Sequence, residues 1–245
     1  MARRQNKISS QLSPAVFYNT NELHAINEIK NYIQSPKFPC VGAKGALSQS
    51  AVTFRVYDEL AGEADAASLH FDLMEYVQTL SPDDARIQSF VAIFKTKDGS
   101  SEIEFEDKLF KQLSYLVDES DSLSLKWNTE VSSDPENPHF STSIAGHPFF
   151  IVGMHPNSSR AARRTPYPVL VFNSNLQFNR LREDGRYDKL KAIIREREVA
   201  INGSINPMLD DFGQSSEARQ YSGRKLEENW KCPFHPKATD TETKK

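Results

Sequence analysis

The sequence predicts a single α+β domain, with a central mixed β-sheet flanked by helices and closed by a long irregular C-terminal wrap. Three observations predict it. Apolar residues recur at helical spacing in some windows and alternate in others. "PFFIVGMH" (148–155) and "YPVLVFN" (167–173) are apolar almost throughout, as strands buried on both faces are. From Gly203 onward periodicity fades into small residues and scattered aromatics, and irregular chain of that length in a compact domain is a functional loop or a surface wrap.

The elements follow in order. Residues 1–15 are polar and charged and read as a disordered end, 16–236 as the domain, and 237–245 as a disordered tail. In "NELHAINEIKNYIQSP" the residues Leu23, Ile26, Ile29 and Ile33 form a helical stripe, with Asn21 as cap and Pro36 beyond the end. "FPCVGAKGAL" reads as irregular because of its proline and glycines. "VTFRVY" alternates as a half-buried strand does, and a helix over 69–80 follows. "FVAIFK" (90–95) is a buried strand, and Phe105, Leu109, Leu113 and Leu116 mark the next helix. "SSDPENPHFSTS" is a polar loop. After the two apolar strands, "LQFNRLRED" and "DKLKAIIREREVAI" are helices.

Composition narrows the class. Hydrophobic residues are 38% and charged residues 26% of the 245, which is ordinary for a globular chain. No run approaches the roughly 18 apolar residues of a membrane helix, and "MARRQNKISSQ" lacks the apolar stretch of a signal peptide. A cytoplasmic protein with no membrane partner is expected, and two cysteines fit that compartment. The net charge of -3 hides an uneven distribution. From Arg160 to Arg197 there are ten Lys and Arg against four Asp and Glu, an excess of +6 that leaves -9 for the remainder. Such a segment suits an anionic partner or a solvated face. No P-loop, dinucleotide fingerprint or HExxH occurs, no nucleic-acid module is present, and Cys232 with His235 is too sparse for zinc.

One stretch concentrates chemistry. In "IVGMHPNSSRAARR" an apolar run ends at His155, and Arg160, Arg163 and Arg164 follow. The plain reading is a hydrogen-bonded structural histidine with solvated or ion-paired arginines. The sharper reading is a haem pocket. Imidazole ligates haem iron, guanidinium groups hold propionates, and Phe149, Phe150, Met154 and Phe172 build a wall. Other anionic ligands fit the same pattern, so a phosphate- or nucleotide-binding module stays open beside it.

The blocks "FPCVGAK" (38–44), "FFIVGMHPNSSRAARR" (149–164), "PVLVFNSNLQFNRLREDGRY" (168–187) and "GSINPMLDDFGQSSEARQYSGRKLEENWKCPF" (203–234) together resemble the YqcI/YcgG family. Some of its members are haem-dependent N-hydroxylases (monooxygenases) of the guanidino group of arginine or an arginine-derived amino acid, the guanitoxin pre-toxin hydroxylase among them. The resemblance implies haem b, with O2 or H2O2 as oxidant, and a guanidino amino-acid substrate. It makes His155 the preferred axial ligand, with His147, Cys232 and Cys40 as alternatives; thiolate ligation favours O–O cleavage. Arg160, Arg163, Arg164 and Phe172 would complete the cofactor site. A guanidinium needs a carboxylate, and Glu217 is the first candidate, followed by Asp210 and Asp211. Arg219 or Arg224 would take the substrate carboxylate, Asn206 would shape a loop, and Tyr221 would donate a hydrogen bond to bound oxygen. An external electron donor or reductase is expected, since no flavin or nicotinamide motif appears. A homodimer is compatible with the sequence. A haem-binding protein without catalysis is the alternative from another class.

Overall fold

A computed structural model describes residues 18–81, 84–97, 99–210 and 213–234. Its centre is a mixed five-stranded sheet, ordered β1-β2-β5-β4-β3. The strands are β1 (Val52–Tyr57), β2 (Ser89–Phe94), β3 (Thr142–Ile144), β4 (His147–Met154) and β5 (Val169–Ser174). Only β1 and β2 run parallel; the remaining neighbours are antiparallel. The most apolar strands, β2, β5 and β4, take the middle of the sheet, where both faces are covered.

Helices cover the two faces differently. The first face carries α3 (Glu63–Thr79) and α4 (Glu102–Ser122), whose Leu69, Leu73, Leu109 and Leu113 pack on Phe90, Phe149, Ile151 and Phe172. The second face carries α1 (Thr20–Gln34) and α2 (Val41–Ser48), with Ile26, Ile29 and Ile33 against Phe54, Val91 and Ile93. After β5 the chain forms α5 (Asn175–Glu183) and α6 (Arg186–Asn202), then a wrap whose only regular piece among the described residues is α7 (Ala218–Tyr221). That wrap returns Ala218, Tyr221, Cys232 and Phe234 to the first-face core.

Local chemistry sets the boundaries. Asn19, two residues before the expected cap, begins α1: its side chain accepts from the Asn21 and Glu22 amides, and Glu22 reaches back to the Asn19 amide. Ser101 and Glu104 form the same reciprocal cap on α4. The segment expected to be irregular after Phe38 is instead helical. The Cys40 thiol caps α2 by accepting from the Ala43 amide at 3.4 Å, and Ala43, Lys44, Ala46 and Leu47 are strong enough helix formers to carry the two glycines. The edge strand β3 was not legible beforehand.

One glycine is required by packing. A Cβ on Gly153 would lie 2.6 Å from Leu109 Cδ1, 2.9 Å from Phe105 Cε1 and 2.9 Å from the Tyr221 carbonyl. Gly153→Ala is expected to destabilise the fold by about 1–3 kcal/mol, as overpacking does. Urea unfolding will show this as a lower midpoint with an unchanged slope; an unchanged midpoint would mean that α4 and the wrap do not press on β4 there.

Candidate functional site

Side chains alternate along β4, so Val152 and Met154 face one way while Phe149 and Ile151 face the other, and Phe150 lines the first side while its ring also meets Tyr221 edge-on. The first set, with Val171 and Asn173 of β5, lines a cavity of about 310 Å³ on the second face. It lies within the roughly 300–1,000 Å³ range of small-molecule and cofactor sites. Its roof is α6, which packs mainly on α5, α2 and the Ala161–Arg163 turn rather than on the strands. Tyr187, Leu190 and Ile194 of α6 point into the gap and stay half-buried for that reason.

One corner of this apolar cavity is polar. Asn175, the first residue of α5, donates through Nδ2 to Glu217 at 3.0 and 3.2 Å and to the Ser141 hydroxyl. Its Oδ1 is buried without a hydrogen-bond partner, and so is the hydroxyl of Ser215, two residues before Glu217 and also in the cavity lining. Glu217 is 4% exposed and forms no ion pair among the described residues. Burial pushes its carboxyl up to about 7, against the opposing pull of the Asn175 and Ser141 hydrogen bonds. Buried polar atoms left without a protein partner usually bond a guest or serve a functional role. A guanidinium, with five N–H donors and no acceptor, matches this corner chemically.

The other expected residues divide between this cavity and elsewhere. Asp210 lines it, as do the cations Arg182, Lys191 and Arg195 of α5 and α6. Cys40 also lines it, at the N-terminus of α2, with burial raising its thiol. The remaining axial candidates do not. His155, one residue beyond Met154, turns the opposite way; its ring stacks on Phe105 at 4.3 Å and lines a different space of about 180 Å³. The His147 ring bonds the Ser174 hydroxyl at 2.8 Å, and burial pushes it down to about 4. Cys232 lies in the first-face core, where burial pushes its thiol up to about 12. Both cysteines are free.

The expected arginine rim is corrected. Arg160 is paired with Glu198 at 2.6 Å, Arg164 donates to the Ser158 and Ser159 carbonyls, and Arg163 donates to the carbonyls of Gly153, Gln220 and Tyr221. Each guanidinium is thus engaged by the protein, and none lines the cavity. Phe172 and Phe149 belong to the opposite core for the same alternation that brings Phe150 and Met154 in. Arg224 is buried against Glu106 at 2.7 Å, and Arg219 lies over the Trp230 ring. Neither reaches the cavity. Tyr221 stands behind Glu217, its hydroxyl 3.5 Å from the carboxylate. Asn206 accepts from the Met208 amide and shapes the turn before Leu209. Asp211 lies outside the described residues. Asn175 and Ser215 were missed; the polar run "NSN" closing an apolar strand was the available signal.

The raised carboxyl makes a testable statement. An unfolded glutamate ionises near 4.5, whereas this one holds its proton to about 7. Between those values the folded state binds more protons, so stability falls as pH rises through that window. Glu217→Gln removes the fall and is expected to be more stable than the parent at pH 8 by on the order of 3 kcal/mol, while gaining little at pH 4.5. Urea titrations at the two pH values measure this; equal pH dependence in both proteins would show that Glu217 ionises as an ordinary surface acid.

The model of the YqcI/YcgG family matches residues 29–235, a span that includes the whole sheet, the cavity walls and Glu217. No curated protein and no solved structure matches the chain. With most of its length matched from α1 to the end of the wrap, the chain belongs to the YqcI/YcgG family.

Proposed function

We propose that this protein is a haem-dependent N-hydroxylase of a guanidino amino acid, and that the second-face cavity is its active site. The observation that carries the reading is the acceptor corner: a buried carboxyl without an ion pair beside two orphaned oxygens, Asn175 Oδ1 and Ser215 Oγ, at the end of an apolar cavity. A cationic ligand would let Glu217 ionise and pair with it, whereas a neutral one would leave it protonated and an anionic one would oppose its ionisation.

The residues present fit haem b in this cavity. Phe150, Val152, Met154 and Val171 offer an apolar wall, and Arg182, Lys191 and Arg195 are the cations placed to hold propionates. Of the four axial candidates, Cys40 alone lines the space, so the thiol takes precedence over His155 as ligand. When bound, the haem supplies the oxygen-activating chemistry, with O2 and an external electron donor or with peroxide.

The chain's own residues do the rest. The Glu217 carboxylate holds the guanidinium, which in turn favours the ionised form of the acid. Asn175 Oδ1 and Ser215 Oγ accept remaining N–H groups and orient the plane of the substrate, while Asn175 Nδ2 fixes the carboxylate. The apolar walls and the α6 roof exclude water from the reacting nitrogen. Phosphate or nucleotide binding by the arginine cluster is disfavoured, because its three arginines are spent on Glu198 and backbone carbonyls.

Protein loaded with hemin and incubated with arginine, reductant and oxygen is expected to yield a product one oxygen atom heavier by mass spectrometry. Glu217→Gln is expected to keep the haem spectrum and raise KM for arginine about 10–100-fold, the worth of one charged hydrogen-bond pair. Haem uptake without any mass gain on guanidino amino acids would leave a haem-binding protein and overturn the enzymatic reading.

A further inference from the structure

A second cavity, of about 180 Å³, opens where β1, β2 and β4 end and β5 begins, against the first turns of α4. His155 lines it and is 3% exposed. Its backbone is fixed by an N–H donated to the Arg163 carbonyl at 3.0 Å, and its ring is held flat on Phe105, at an interplanar angle of 14°. Neither ring nitrogen has a hydrogen-bond partner among the described residues. An imidazole so buried and so rigidly held, lining a cavity and without a protein partner at either nitrogen, is free to bond a guest there.

The surroundings name the partner's chemistry. Lys97 and Lys108 line the cavity with Ser100 and Thr96, and Lys108 Nζ donates to the Ser100 hydroxyl at 3.2 Å. Lys97 is held over the Tyr167 ring at 3.7 Å. The N-terminus of the 21-residue α4 lies on the same side, with its partial positive charge met by Glu102 and Glu104 of the first turn. Against these, Glu59 is the one carboxylate of the lining among the described residues. Glu102 stands beside the ring and is occupied by the Ser159 amide and hydroxyl, while Arg163 lies behind it. Burial keeps the imidazole below its usual range, hence a neutral ring that donates one N–H.

We propose that the His155 cavity is a binding site for a compact oxyanion, phosphate or a phosphate-bearing small molecule, held by the imidazole N–H and the two lysine ammonium groups. The space is too small for a porphyrin-sized guest and suits a single phosphoryl group. This site is separate from the second-face cavity and does not rest on haem or on hydroxylation.

The test uses the full chain without hemin, with ring-labelled histidine followed by NMR at constant ionic strength. Inorganic phosphate and glycerol phosphate are added in separate arms, and His155→Gln identifies the resonance. The His155 ring is expected to shift saturably at millimolar phosphate while the other five histidines stay in place. Lys108→Met is expected to weaken binding by about fivefold or more. Tighter binding of glycerol phosphate would identify an esterified ligand, and tighter binding of inorganic phosphate a free one. A non-saturating shift, or one unchanged in Lys108→Met, would overturn the site.

Discussion

The fold depends on one guanidinium. Arg163, in the turn after β4, donates from Nη1 to the carbonyls of Gly153 at 3.0 Å and Tyr221 at 2.9 Å, and from Nη2 to that of Gln220 at 3.0 Å. A central strand and the C-terminal wrap are thereby tied through one side chain. Burial pushes Arg163 down to about 10, so it stays charged at neutral pH, and three carbonyl acceptors offset its desolvation. Glycine is required on both sides of it: Gly153 admits α4, and Gly223, at φ +81°, approaches so closely that a Cβ would lie 2.6 Å from Arg163 Cδ. The wrap held this way carries Glu217, three residues before Gln220, into the cavity. Farther along, Glu106 of α4 accepts from Arg224, Trp230 and Ser222, and fixes the next stretch of the wrap by the same kind of buried charge.

The two faces of the sheet follow from what each must do. On the first, two long helices and the wrap fill the space with leucines and aromatics at full burial. On the second, α1 fills only the half over β1 and β2, and the half over β4 and β5 is left to α6. That helix contributes few buried residues; only Glu198 is buried, through its pairing with Arg160. It is bounded by Gly185 and Gly203, both at left-handed φ near +75°, which separate it from α5 and end it sharply before the wrap. A helix anchored at its ends and hollow beneath is a roof.

Much of this was legible in the sequence. Period-two and continuous apolar runs located the central strands, and helical stripes located α1, α3 and α4, because burial of one face dictates those patterns. The loss of period after Gly203 marked the wrap. What was not legible was direction. His155 and Met154 are neighbours, yet they serve different cavities, and the choice depends on which residue of β4 pairs with which of β5. The arginines read as a rim because a charge count says nothing of partners, and Glu198 and the carbonyls of Gln220 and Tyr221 lie far along the chain. Glu217 was named because the family resemblance implies a guanidinium substrate that needs a carboxylate; Asn175 and Ser215 were not, since their meaning lies in atoms left unpaired.

The central claim is that the guest sits on the second face, beneath α6. Its most direct test is hemin titration of Val152→Trp, which fills that cavity from the floor, beside His155→Ala, which alters only the other one. The account predicts that the Soret band on hemin addition is lost in Val152→Trp, with the fold intact by circular dichroism, and kept in His155→Ala. A band retained when the cavity is filled, and lost when the imidazole is removed, would contradict it.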